Sequence, residues 1–387
     1  MISALLLWYA LTHPNTSVAI VGPSWRQTKL IIRKINEFLR KLPKNWYGRP
    51  RRTIVELANG SRIECFPNNP ETIRGPTLDI VYCDEMNFIS NDEEMFDAIV
   101  WTMITRPESK FICSSTPWNT DSVFWRIWNE EAFKDYAKSH ITWREALEPN
   151  GPLSKTKLEQ IRKQYEGDQW RWIREMEADW AEDEDHWLSQ SLIAKCIDGN
   201  LSLISREGVP VGEFYAGVDF GKHQDHSVIA VVERCDGDIR LVHCYQFPRE
   251  TPYATVIGYM KALCDKWKTV WKTIPDKTGL GDPIVEDMQN ASVPRVEGVN
   301  LTEAAKEEIA TILKQNMVEN CLRIPYDRAI INELNVERYE LTKAGRIRFR
   351  HPPGTHDDRF WAIALAVYGA RMKPLRGLID FGKVQEK

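Results

Sequence analysis

The stretch from Tyr215 to Glu233 restricts the fold of this chain most. An apolar run, Tyr215-Ala216-Gly217-Val218, leads into Asp219; a turn through Gly221 and past Asp225 follows, and then Val228-Ile229-Ala230-Val231-Val232. Short β-branched runs bounded by turn residues are strand patterns, so this reads as two buried strands joined by a tight turn, with a carboxylate ending the first. A carboxylate at the end of a buried strand loses solvation unless something cationic meets it. Taken alone, Asp219 has two readings: a metal ligand at a strand edge, or an acid in a solvated hairpin turn.

The chain has 387 residues, room for two ordinary domains with a core each. Hydrophobic content of 43% and charged content of 27% are globular values. No segment approaches the roughly 18 consecutive apolar residues of a membrane span, so the expectation is a soluble protein. Eight scattered cysteines without paired short spacing argue against zinc, and without a leader-like N-terminus they point to a reduced, intracellular chain. With a net charge of −4, any nucleic-acid binding must be local. Arg33–Arg52 carries eight Lys or Arg against one acid, Glu37, and Arg338–Arg350 is a second basic stretch. A solvated face is the default reading of each. The 15 Trp sit mostly at helix-like spacing and read as packing residues rather than base-stacking platforms.

Along the chain, strand follows helix. Val18–Val21 reads as a buried strand, Ser24 as a cap and Trp25–Leu39 as an amphipathic helix. Thr53–Leu57 and Arg62–Phe66 flank Asn59-Gly60, a hairpin signal. The strand Leu78–Cys83 ends in Asp84-Glu85, and Lys110–Cys113 ends in Ser114-Ser115-Thr116-Pro117. Two neighbouring parallel strands ending in polar residues mark where open α/β sheets bind ligands. Asp-Glu after an apolar strand is the Walker B pattern, in which the Asp orients magnesium and the Glu polarises water; strand ends also favour acids without any such role. A helical, Trp-rich segment with an acidic run at Glu182–Asp185 leads to the stretch described first. Asp238–Phe247 extends that stretch into a meander, Tyr253–Trp267 is a helix, and the strand Trp271–Pro275 delivers Asp276 ahead of Gly279 and Gly281. Helices at Glu303–Asn316 and Ala329–Leu341, a short strand at Leu322–Pro325 and a basic strand at Arg346–Arg350 precede Gly354-Thr355-His356-Asp357-Asp358, which opens an apolar helix, Phe360–Arg371.

Asp219, Asp276 and Asp357/Asp358 thus all stand at element ends. Hard divalent cations take a few carboxylates plus water and phosphate oxygens, and two such ions about 4 Å apart suit in-line phosphodiester displacement. Each acid separately also has a bland role, Asp357 as a helix cap and Asp276 as a turn residue.

Arg74-Gly75, Asp84-Glu85, Ser114–Pro117, Asp219, Asp276-Lys277-Thr278-Gly279-Leu280-Gly281 and His356-Asp357-Asp358, in that order, resemble the large terminase subunit of tailed bacteriophages, over nearly the whole chain. The resemblance implies an α/β chain: an incomplete P-loop ATPase domain of the additional-strand class, residues 1–150; a helical subdomain and linker, 151–211; an RNase H-like nuclease domain, 212–374; and a tail, 375–387. It implies a DNA-packaging motor and a metal-dependent endonuclease that cuts double-stranded DNA concatemers. Asp84 would then be the magnesium-site acid, Glu85 the catalytic base, Ser114, Ser115 and Thr116 the coupling motif, and Arg74 a phosphate-sensing or finger arginine. Asp219, Asp276, Asp357 and Asp358 would hold two Mg2+ or Mn2+ ions, with Asp225 behind them, and ATP would serve the full-length family protein. Implied partners are double-stranded DNA, the small terminase subunit, the portal protein and further copies in a ring, in the host cytoplasm and without a membrane.

One departure matters. No G-x-x-x-x-G-K-[ST] loop precedes the first helix, and Gly22–Lys29 does not fit it, so the chain as given is expected not to hydrolyse ATP appreciably. Truncation or an upstream start explains this better than a protein evolved without ATP. Two alternatives stand beside the terminase reading: a separate RNase H-like nuclease or resolvase, and a non-catalytic prophage remnant that binds DNA. Asp219-Phe220-Gly221 and Asp380-Phe381-Gly382 imitate a kinase magnesium motif, but no His-Arg-Asp loop accompanies them. If DNA is the substrate, phosphate contacts from Arg346, Arg348 and Arg350 would dominate over base readout.

Overall fold

The computed structural model describes residues 1–165, 168–181, 186–221, 225–235, 237–341, 347–352 and 355–371. The acidic run Glu182–Asp185, Arg346, Gly354, the tail 375–387 and its Asp380-Phe381-Gly382 lie outside the described residues.

The first sheet and its helices comprise α1 (Ile2–Thr12), β1 (Ser17–Val21), α2 (Trp25–Leu39), β2 (Ile54–Glu56), β3 (Arg62–Cys65), α3 (Pro70–Ile73), β4 (Ile80–Asp84), α4 (Asp92–Met103) and β5 (Lys110–Ser114). The strand order is β2-β3-β1-β4-β5. β3, β1, β4 and β5 run parallel, and β2 returns antiparallel on β3 through the Asn59-Gly60 turn, where Gly60 takes φ 86°. Val18 and Ile20 pack on Ile32 and Ile35 of α2, while Ala19 and Val21 face Ala98 and Ile99 of α4. Burial on both faces is why β1 and β4 read as unbroken apolar runs.

The linking segment is helical: α5 (Val123–Asn129), α6 (Trp143–Ala146), α7 (Lys155–Gln164), α8 (Gln169–Glu175) and α9 (Gln190–Lys195). Ser24 and Ser154 cap α2 and α7 as expected, each accepting at 3.2 Å from the backbone amide three residues on. The segment ends in β6 (Ile197–Asp198), which joins the edge of the second sheet.

That sheet contains β7 (Glu213–Asp219), β8 (Val228–Cys235) and β9 (Asp238–Gln246); α10 (Tyr253–Trp267) then leads to β10 (Val270–Pro275). Next come α11 (Asp282–Asn290), α12 (Glu303–Val318), β11 (Leu322–Pro325), α13 (Arg328–Leu334), β12 (Arg338–Leu341), β13 (Ile347–Arg350) and α14 (Asp358–Arg371). The order is β10-β7-β8-β9-β11-β6: an antiparallel meander, β7-β8-β9, with β10 added parallel to β7, which is the RNase H-like arrangement. Tyr215, Val228 and Ala230 face α12 and α14, whereas Ala216, Val218 and Ile229 face α10 and α11. At Gly217 the backbones of β7 and α14 meet: a Cβ there would lie 2.1 Å from the Ala362 carbonyl oxygen.

The expected helix Ala329–Leu341 is corrected. It stops at Leu334, and Arg338–Leu341 instead pairs antiparallel with β13. The cause is tertiary. Buried Asn335 donates to the Leu188 carbonyl at 3.0 Å, and Arg338 Nη1 donates to the Asn335 and Val336 carbonyls at 3.0 and 2.6 Å, taking acceptors that a continuing helix would use. α11 was not foreseen; it starts where Gly281, at φ 73°, reverses the chain before Pro283. The expectation for Trp holds for Trp118, Trp187, Trp267 and Trp361, which are buried, and not for Trp8 and Trp101, which are exposed.

Candidate active site

Asp219 and Asp276 emerge together because β7 and β10 are parallel neighbours in register, with Pro275 opposite Val218. The Asp276 amide donates to the Val218 carbonyl at 2.8 Å, and the Asp276 carboxylate accepts from the Thr278 amide and hydroxyl at 2.7 and 2.5 Å. The close approach at Gly217 lays the start of α14 across these strand ends, bringing Asp357 and Asp358 to the same place. All four acids line one cavity of about 310 Å3 with Asp225, Thr278, Lys306, His351 and Trp361. The structure therefore brings together every acid that the sequence singled out for the metal site. It also adds His356: ligand atoms of Asp225, His356 and Asp358 all lie within 4.8 Å of one another.

The electrostatics of the group are those of crowded, buried carboxylates. Burial, then the charges of Asp358, Asp357 and Asp276, push the Asp219 carboxyl well above the usual range, with Lys306 pulling the other way. Burial, then Glu333 and Asp357, raise Asp358 to about 7. Asp357 goes the other way. Burial raises it, but hydrogen bonds from Glu337 and Trp361 and the charges of His351 and Lys306 outweigh burial and hold it low. Burial, then the hydrogen bond with Asp357 and its charge, push the Glu337 carboxyl, itself only 1% exposed, well above its usual range. The Trp361 indole donates to Asp357 Oδ2 at 2.8 Å and to Glu337 Oε1 at 3.2 Å. Glu337, Lys306 and Trp361 had no signal in the sequence, because each reaches the site through tertiary packing.

In the first sheet, Asp84 and Ser114 sit opposite each other in the β4–β5 register, joined through the Tyr82 hydroxyl at 2.7 Å to each. Glu85 has left-handed backbone at φ 49° and accepts from Ser115 Oγ at 3.3 Å and the Thr116 amide at 3.4 Å. Arg74 is engaged elsewhere, 2.6 Å from Glu71. The cation at Glu85 is Arg328 of α13, whose Nη2 donates to Glu85 Oε1 at 2.6 Å and Thr116 Oγ1 at 2.9 Å, while Nη1 lies 3.0 Å from Glu175. Burial raises Glu85 even against the pull of Arg328. This contact ties the two sheets together through one guanidinium. Of the basic strand, Arg348 and Arg350 lie 3.8 to 3.9 Å from Glu340 and Glu303, in exposed pairs of small energetic weight.

A family model described as terminase large subunit, T4likevirus-type, N-terminal, matches residues 1–195. The chain belongs to this terminase family. Terminase large subunits of Thermus phage G20c and Thermus virus P23-45 are each 29% identical to it over 156 residues, 39% of this chain. The match spans 30% of the length of each of these relatives. Among solved terminase structures, the nuclease of phage G20c with bound magnesium is 24% identical, covers 48% of this chain and 98% of its own, and has a TM-score of 0.41. The large terminase of another thermophilic bacteriophage, in complex with ADP, is 13% identical, covers 96% of this chain and 89% of its own, and has a TM-score of 0.44. Among the described residues no helix is long and apolar enough to cross a membrane.

Proposed function

We propose that this terminase chain is a metal-dependent endonuclease acting on double-stranded DNA, with its active site at Asp219, Asp276, Asp357 and Asp358. The observation that carries the reading is the convergence of these acids on one cavity that Lys306 also lines. Four carboxylates are an oxygen donor set suited to Mg2+ or Mn2+, and the upward pressure on Asp219 and Asp358, from burial first and neighbouring carboxylates second, is one that a cation would relieve. Divalent ions held by these four carboxylates would supply Lewis-acid polarisation of the phosphate and activation of a water. The chain's own part is to hold and orient. Glu337 and Trp361 fix the Asp357 carboxylate, Thr278 fixes Asp276, and Lys306 offers a cation to the phosphate. His351 Nε2, 3.6 Å from Asp357 Oδ1 and open to solvent, is placed to exchange a proton.

Asp84, Glu85, Ser114, Ser115 and Thr116 are proposed as a nucleotide-responsive edge of a motor unit in residues 1–150, joined through 151–211 to the nuclease unit in 212–374. The proposed partners are the small terminase subunit, the portal protein and further copies in a ring, in the host cytoplasm. The test is incubation of the purified chain with supercoiled plasmid. Nicked and linear products are expected with Mg2+ or Mn2+ and none with EDTA; intact plasmid with both metals would contradict the reading.

A further inference from the structure

Beside the acid cavity, behind a wall of two histidine rings, lies a second cleft of about 600 Å3 between α7, α8 and α13. His226 and His356 form that wall with ring centres 5.3 Å apart; the His226 amide donates to Asp358 at 3.3 Å, and His356 Nδ1 is 3.8 Å from the same carboxylate. The described charged side chains lining the cleft are six cations, Lys163, Arg171, Arg174, Arg249, Arg338 and Arg359, and two anions, Asp168 and Glu333. In a chain of net charge −4, that is a local concentration of positive charge.

Part of this charge is committed to structure. Arg359 pairs with Glu333, Arg174 Nη1 donates to Asn335 Oδ1 at 3.3 Å, and Arg338 holds backbone carbonyls. Lys163, Arg171 and Arg249 form no ion pair with a described residue. Arg249 Nη2 is 2.7 Å from His356 Nε2, one ring away from Asp358. Arg171 lies over the Tyr165 ring at 4.5 Å, and its Nε is buried with no hydrogen-bond partner. A guanidinium stacked on an aromatic ring beside further cations is the equipment of a single-strand groove: phosphates meet the charges and a base stacks on the planar face. A cleft of about 600 Å3 is the size of a small-ligand site and takes about two nucleotides of one strand, with no room for a duplex.

We propose that this cleft binds the unpaired DNA strand running on from the scissile phosphate, so that the strands separate beside the cut. The inference rests on the nuclease reading and deepens it. The test measures anisotropy of a labelled blunt duplex and of the same duplex with one end forked, in Ca2+ over a range of salt, for the parent and the R171Q/R249Q and R171K/R249K variants, with melting curves run alongside. The parent is expected to bind the forked DNA about tenfold more tightly. R171Q/R249Q is expected to lose that preference and to show a salt slope shallower by about 1.4, at ~0.7 per single-strand phosphate contact, while the lysine pair keeps most of both. Equal affinity of the parent for the two DNAs overturns the proposal whatever the variants do, as does a well-folded R171Q/R249Q that keeps the preference. Absence of plasmid cleavage by the parent would instead count against the nuclease reading.

Discussion

Asp219→Asn is expected to slow metal-dependent DNA cleavage by about 10^3-fold, since losing the several kcal/mol that a correctly held cation contributes corresponds to about three decades of rate. The side chain keeps its size and loses its charge, so the fold should survive. It should become more stable without metal, because burial and three neighbouring carboxylates raise Asp219 and make its ionised form unfavourable. The sign with pH follows. Asp219 and Asp358 bind protons more tightly folded than unfolded, so the metal-free parent loses stability as pH rises from about 4, the unfolded Asp value, through the Asp358 value of about 7. Cleavage by the variant within a few-fold of the parent would remove Asp219 from the site.

Gly217→Ala is expected to destabilise the second sheet by about 3 kcal/mol, at the upper end of overpacking effects, and to lower its melting temperature by roughly 6–12 °C. The added Cβ would lie 2.1 Å from the Ala362 carbonyl oxygen, 2.5 Å from the Ala366 amide nitrogen and 2.9 Å from Leu365 Cβ. These are mostly backbone atoms of a buried helix, so no side chain can rotate away, and β7 must part from α14. The same separation moves Asp219 from Asp357 and Asp358, so metal-dependent activity should fall with stability. An unchanged melting curve by differential scanning fluorimetry would mean that the two elements are not packed this closely.

Much of the second unit was legible because its signals are local. β7 and β8 announce themselves as apolar runs around a Gly turn, Tyr253–Trp267 matches α10 to the residue, and Gly279 and Gly281 take the positive φ their type allows. The acids were legible as element ends. What joins them was not: Gly217 looked like one more residue of an apolar run, and its contact with Ala362 spans 145 positions (362 − 217). Arg328 and Glu85, 243 positions apart, carry no mark in the sequence of their meeting. The helix misread over Ala329–Leu341 has the same origin, since Asn335 ends it through partners on α8 and near Leu188.

The central claim, a cation site at Asp219, Asp276, Asp357 and Asp358, is tested most directly by calorimetric titration of Mn2+ into the purified parent and Asp219→Asn at pH 6 and pH 8, in two buffers of different ionisation enthalpy. The account predicts saturable binding by the parent, tighter at pH 8 because Asp219 and Asp358 must give up protons, with proton release at pH 6 and binding lost in Asp219→Asn. No binding by the parent, or equal binding by parent and variant with no proton release, would contradict it.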